Sequence, residues 1–192
     1  KERIRSFPGV FRFSIDRLLK DIRQLQGLGI NKILLFGVPD KKDAIGTSAY
    51  VKDNIIASAV IAVKQRFPEF IVITDVCLCA YTAHGHCGII KNPKLKNKND
   101  FIDSKKTLKV LARIAVSHAE AGADWVAPSA MAKGQVQAIR RALDENGFVS
   151  TKIMGYSAKF ASNFYGPFRN AADSSPQFGD RSAYQLNYAN AD

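Results

Sequence analysis

Fifteen consecutive residues, "DVCLCAYTAHGHCGI" (75–89), hold all three cysteines of the chain, Cys77, Cys79 and Cys87, and two of its three histidines, His84 and His86. Soft thiolates select zinc among the divalent metals. A structural zinc site closes on four protein ligands, whereas a catalytic one keeps a position for water or substrate. Three thiolates therefore point to the catalytic kind. Cys77 and Cys79 alternate with Val76 and Leu78, so both can face the same way where a strand ends. Cys87 returns on the following loop, where Gly85 and Gly88 permit the bend. His86 is available as a fourth ligand or as a hydrogen-bond partner of the ligands. Two other readings stay open: incidental buried thiols, and a redox pair, although the C-x-x-C spacing is absent. Three cysteines cannot all pair within one chain, and Cys77 and Cys79 are too close to bridge comfortably.

A second candidate is Lys159, in "GYSAKFASNFYGPFRNA". Most lysines are solvated, but Ala158, Phe160 and Ala161 are poor company for an exposed charge. A lysine in a semi-apolar pocket near other cations loses its proton more easily, and the neutral amine attacks carbonyls to form Schiff bases. Arg169 and Arg181 follow closely; either could be the cationic neighbour, and either could bind a carboxylate through two parallel hydrogen bonds. Asp75, ahead of the cysteines, could orient a substrate amine or cap a loop. Ser129 carries the same ambiguity.

Four apolar runs supply strands to position these groups: "KILLFGV" (32–38), "FIVITDVC" (70–77), "DWVAPS" (124–129) and "KIMGYSA" (152–158). Their lack of polar alternation suits parallel strands covered on both faces. Helical patterns occupy 14–29, 51–67, 104–122 and 134–147, with Ser14 a plausible cap and glycines at three of the four ends. Repeated strand–helix units imply a parallel sheet with right-handed crossovers. No G-x-G-x-x-G follows the first strand, so a dinucleotide fold gains no support. The unusual residues all follow strand C-termini, where (β/α) barrels build their sites. The expectation is an α/β chain forming about half of a (β/α)8 TIM barrel, as a single incomplete domain. A full barrel takes about 250 residues and this chain has 192, opening on Lys1 rather than Met. Either the sequence is part of a longer chain or two halves pair between chains.

The net charge is +11, and much of it lies in "KNPKLKNK" (91–98) with Lys105 and Lys106. A solvated basic loop is the plainer account; anion attraction is the alternative. Without interleaved aromatics or a known module, a nucleic-acid partner is not expected. No apolar run is long enough to span a membrane and no signal peptide is visible. With unpaired thiols, this favours a cytoplasmic protein.

Together, "DVCLCAYTAHGHCG", "AGADWVAPSAM", "GYSAKFASNFYGPFR" and "GDRSAYQ" resemble porphobilinogen synthase, also called delta-aminolevulinic acid dehydratase; "FPGVFRFSIDRL" and "LLFGVP" are similar to its early segments. The resemblance runs over nearly the whole chain in the same order. It implies a (β/α) barrel hydro-lyase of tetrapyrrole (heme) biosynthesis, which condenses two molecules of 5-aminolevulinate into porphobilinogen with loss of water. It implies zinc on Cys77, Cys79 and Cys87, where a magnesium-type branch has aspartates, and leaves room for an allosteric magnesium. Lys159 matches the first of two Schiff-base lysines, which holds the A-side substrate. Arg169 and Arg181 match residues that bind that substrate's carboxylate, with Gln185 nearby. Phe36, Tyr165 and Phe168 match pocket aromatics, and Asp75 and Ser129 match polar residues of the pocket. The family also implies a homo-oligomer, typically an octamer. Two departures stand out. Lys133 replaces an aspartate usual before Gly134, and no M-V-K-P-like motif carrying the second lysine occurs. The chain therefore looks like the central part of the enzyme. The rival readings are a zinc-binding fragment without turnover, and another Schiff-base lyase or aldolase.

Overall fold

The computed structural model describes residues 1–91 and 101–189. A two-stranded antiparallel ribbon, β1 (Glu2–Arg3) and β2 (Phe11–Arg12), precedes helix α1 (Ile15–Gly27). Then come β3 (Lys32–Leu35), α2 (Ile55–Arg66), β4 (Ile71–Val76), α3 (Ser104–Glu120), β5 (Trp125–Pro128), α4 (Gln135–Glu145) and β6 (Lys152–Ile153). A short helix α5 (Gly166–Ala171) follows the last strand.

The four strands β3 to β6 are parallel and lie in sequence order. Helices α1 and α2, α2 and α3, and α3 and α4 pack as successive neighbours. A doubly wound sheet would reverse its strand order and split its helices between two faces. Monotonic order with a continuous row of helices is instead the arrangement of half a (β/α)8 barrel.

Local chemistry fixes the helix boundaries. Asn54 starts α2, its Oδ1 accepting from Ala57 N at 2.8 Å, and Asp103 starts α3 through a 3.0 Å bond from Lys106 N. Helix α2 thus begins later than the 51–67 expectation, because the Asn54 cap just ahead of the apolar run sets the start. The chain leaves α1 through Gly29 at φ 77°, a conformation that glycine adopts without steric cost.

Strand parity decides which residues meet. Val72, Thr74 and Val76 of β4 face the helices: Val72 packs with Ile22 and Val60, and Thr74 Oγ1 lies 3.0 Å from Nδ1 of His118 on α3. Ile33 and Leu35 of β3 join the same apolar cluster, while Val126 of β5 packs with Ile139 and Leu143 of α4. By the two-residue period, Phe36, Asp75, Cys77 and Ser129 emerge on the opposite, inner face. All four stand at or just beyond the C-terminal ends of their strands.

Of the basic run, residues 92–98 lie outside the described residues. No described helix is long and apolar enough to cross a membrane.

Candidate active site and metal centre

The strand ends surround a cavity of about 120 Å³, walled by Phe36, Asp75, Cys77, Cys79, Ser129 and Lys159 among others. The cysteine loop and the lysine segment, distant along the chain, meet at one mouth of the sheet. Tyr165 and Phe168 also line this space. Phe168 packs edge-on against Phe36, with ring centroids 5.4 Å apart. A larger open groove of about 290 Å³ lies against α3 and α4 and contains neither the thiols nor Lys159.

All three cysteines are buried and free. Their sulfurs lie within 4.8 Å of one another, and Cys77 Sγ is 3.5 Å from Cys79 Sγ. Cys77 and Cys87 are pushed up to about 12, first by the thiol each contacts and then by burial. At Cys79 the bond from Cys77 pulls downward, but Cys87 and burial carry it to about 12 as well. A water-excluded trio of sulfur donors fits a soft divalent cation, whose arrival would expel the thiol protons. No second cluster of metal-ligating groups occurs among the described residues.

His86 is not a fourth ligand in this arrangement. Its Nδ1 lies 3.1 Å from Tyr184 Oη and its Nε2 3.0 Å from the Phe178 carbonyl. Tyr184 Oη in turn accepts from Cys87 N at 3.3 Å. Of the two roles open to His86, the structure selects hydrogen-bonded support. Burial lowers its pKa to about 4, so the ring is neutral.

Lys159 is buried, and its Nζ donates to the Ser129 carbonyl at 2.9 Å and stands 5.8 Å from the centre of the Tyr165 ring. The expectation of an easily deprotonated amine is not met in the metal-free chain. Burial pulls the pKa down, but the charges of Cys77, Cys87, Cys79 and Asp75 outweigh it, so the net shift is upward. The groups that act on this lysine are the three cysteines and Asp75 rather than the arginines proposed for it. Asp75 is raised to about 6, chiefly by burial, with Ser129 and Lys159 opposing. Its Oδ1 is buried and has no hydrogen-bond partner.

Arg169, Arg181 and Gln185 do not line the cavity. Arg181 is buried and its Nη2 donates to the carbonyls of Gly85, at 2.9 Å, and Ser174. Yet Nε of Arg169, Nε of Arg181 and both amide atoms of Gln185 are buried without partners. Buried orphans of this kind are rare in native proteins. Lys133 is exposed, immediately before Gly134 at the start of α4, so it alters a surface helix start and not the cavity.

Sequence reasoning missed two tyrosines of the cavity wall, Tyr81 and Tyr156. Both lie inside the motifs that flagged the site, where the thiols and the amine drew the attention. Gly37 went unnoticed too; a Cβ there would stand 2.2 Å from the Tyr81 hydroxyl.

A family model described as delta-aminolevulinic acid dehydratase matches residues 1–192. The chain is 51% identical over 191 residues to the delta-aminolevulinic acid dehydratase of Methanothermus sociabilis, covering 100% of this chain and 57% of that protein. It is 50% identical to that of Helicobacter pylori, covering 99% of this chain and 57% of the relative, and 47% identical to that of Bacillus subtilis. A crystal structure of the Toxoplasma gondii ME49 enzyme (porphobilinogen synthase), in complex with the reaction product porphobilinogen, superposes with a TM-score of 0.91 at 38% identity. That match covers 99% of this chain and 53% of the other. The chain thus spans a little over half the length of the relatives it matches, and it belongs to the delta-aminolevulinic acid dehydratase family.

Proposed function

We propose that this chain carries the zinc-bearing, first-substrate half of a porphobilinogen synthase site, in a polypeptide that condenses two 5-aminolevulinate molecules to porphobilinogen. The observation that carries the reading is the convergence of Lys159, Cys77 and Cys79 on one cavity. In the first step the Lys159 amine adds to the ketone carbon of 5-aminolevulinate. A C=N bond replaces C=O, and the carbonyl oxygen leaves as water. Asp75, with its unpartnered Oδ1 in the cavity wall, accepts a hydrogen bond from the substrate amine or the departing hydroxyl. The aromatic rings of Phe36, Tyr165 and Phe168 exclude water from the carbon chain. The orphaned donors of Arg169, Arg181 and Gln185 support the assignment of a carboxylate site, because an anionic ligand would satisfy them.

Cys77, Cys79 and Cys87 would hold zinc, which supplies a Lewis acid with a position open to substrate. The upward pull on Lys159 comes first from these thiols. A bound divalent cation would offset much of the thiolate charge, leaving burial to favour the neutral, nucleophilic amine against the remaining pull of Asp75. Holding both substrates in one site replaces a bimolecular encounter by an intramolecular one, an advantage of up to about 7–11 kcal/mol. The reading includes a homo-oligomer and a reducing, cytoplasmic setting, which suits three free buried thiols.

The test is porphobilinogen formation by the full polypeptide bearing this segment. Lys159→Met should abolish product while leaving zinc content unchanged, and Cys77→Ala should lower zinc content and product together. Product formation unaffected by Lys159→Met would overturn the assignment.

A further inference from the structure

Two of the three thiols need no help to find their place. Cys77 and Cys79 follow β4 directly, where Val76 pairs with Pro128 and its carbonyl accepts from Ser129 N at 3.2 Å. Cys87 has no such ladder. It sits on a loop that turns through Gly85 at φ 72°, and its sulfur must nonetheless meet the other two.

Thr82 Oγ1 donates to the His86 carbonyl at 3.0 Å and Ile89 N to Thr107 Oγ1 at 2.9 Å, and groups from the far end of the described chain hold the loop between them. Cys87 N–H donates to Tyr184 Oη at 3.3 Å, Tyr184 Oη is 3.1 Å from His86 Nδ1, and His86 Nε2 is 3.0 Å from the Phe178 carbonyl. With one proton on the ring, the donor rules allow one arrangement. A carbonyl only accepts, so Nε2 carries the hydrogen. Nδ1 is then bare, and the Tyr184 hydroxyl 3.1 Å away can donate to it. The hydroxyl's lone pairs are left facing Cys87 N–H. The imidazole is fully buried, with Phe178 and Phe101 ring centroids 4.5 and 4.7 Å away, so aromatic rings shield it from water. Arg181 Nη2 fixes the Gly85 carbonyl two residues earlier.

We propose that Tyr184 and His86 are positioning residues for the third thiol: their relay sets where the Cys87 sulfur stands and so completes a three-sulfur metal site. The inference rests on reading the cysteines as that site, and it assigns a role to two side chains that the reaction chemistry leaves unused. Outer partners of metal ligands usually matter by about 10–100-fold in affinity.

The experiment titrates the metal-free chain with cobalt(II), whose thiolate charge-transfer absorption grows with the number of bound sulfurs. Tyr184→Phe keeps the ring and removes the hydroxyl. Affinity should fall about 10–100-fold, and the absorption should drop from the three-sulfur level toward that of Cys87→Ser. Ile139→Val, a conservative core substitution on helix α4, should change neither. Nitrogen-15 NMR of His86 in the wild-type chain gives an answer even if the variant fails to fold: the proton should sit on Nε2. Unchanged cobalt affinity with full three-sulfur absorption in Tyr184→Phe, or a proton on Nδ1, overturns the relay. A wild-type chain that binds no cobalt overturns the metal site itself, and the relay with it.

Discussion

Replacing His118 by asparagine should flatten the acid side of the stability curve. His118 is buried in α3 against β4, its Nδ1 facing the Thr74 hydroxyl at 3.0 Å and its Nε2 without a partner. Burial alone drives its pKa down to about 3 from 6.5. The unfolded chain therefore takes up a proton on this ring as pH falls through 6.5, while the folded chain refuses it until about 3. Because the folded pKa is the depressed one, the stabilisation is full above pH 6.5 and is lost on acidification. With one proton taken up on unfolding, the slope approaches ~1.4 kcal/mol per pH unit. Between pH 7 and 5 the loss from this residue integrates to about 2 kcal/mol. Asparagine places an amide where Nδ1 stood and does not titrate. Urea unfolding of both proteins across that range isolates the residue, since the carboxylates and the other histidines contribute equally to each. The difference in stability between wild type and variant should shrink by about 2 kcal/mol from pH 7 to 5. Parallel curves would show that His118 is solvated or protonated in the folded chain, and the burial argument would fail.

Three other outcomes follow from the same reasoning. Gly85→Ala and Gly147→Ala both place a side chain at positive φ, but only at Gly85 would the new Cβ meet backbone, 2.3 Å from the Ser175 carbonyl oxygen. Thermal unfolding should show about 1–2 kcal/mol lost at Gly147 and more at Gly85, where metal affinity falls as well. Lys133→Asp should stabilise the chain by about 0.3–1 kcal/mol in low salt, because α4 has neither a capping side chain nor an acidic first turn; the gain should fade as salt is added. Asp124→Ala removes the acceptor for Val72 N–H at 2.8 Å and for the Lys64 ammonium at 3.1 Å. It should lower the urea midpoint by an amount equivalent to about 1.5–3 kcal/mol, without altering metal content.

The strand centres were legible because buried parallel strands are apolar without interruption, and the helices because their apolar faces repeat. The ends were less so. The 152–158 run forms a strand only over Lys152–Ile153, and among the described residues β6 pairs with β5 alone. The 32–38 run stops at Leu35, which frees Phe36 to stand at the cavity. The ribbon of β1 and β2 and the short α5 went unread, because two-residue strands and a six-residue helix carry too few side chains to set a period. At the site, clustered cysteines and a lysine among small apolar residues were visible from residue type alone. The Tyr184–His86 relay was not, since it joins residues 98 positions apart through hydrogen bonds that no spacing rule encodes. The direction of the Lys159 shift also depended on three-dimensional neighbours, the thiols, which sequence adjacency does not supply.

The most direct test of the central claim is covalent. The chain is incubated with zinc and 5-aminolevulinate, reduced with borohydride, digested and weighed peptide by peptide. A reduced adduct on the peptide bearing Lys159, absent from Lys159→Met, is the predicted result. An unmodified Lys159, or an adduct carried by another lysine of this chain, would contradict the assignment of the amine beside the thiols as the group that captures substrate.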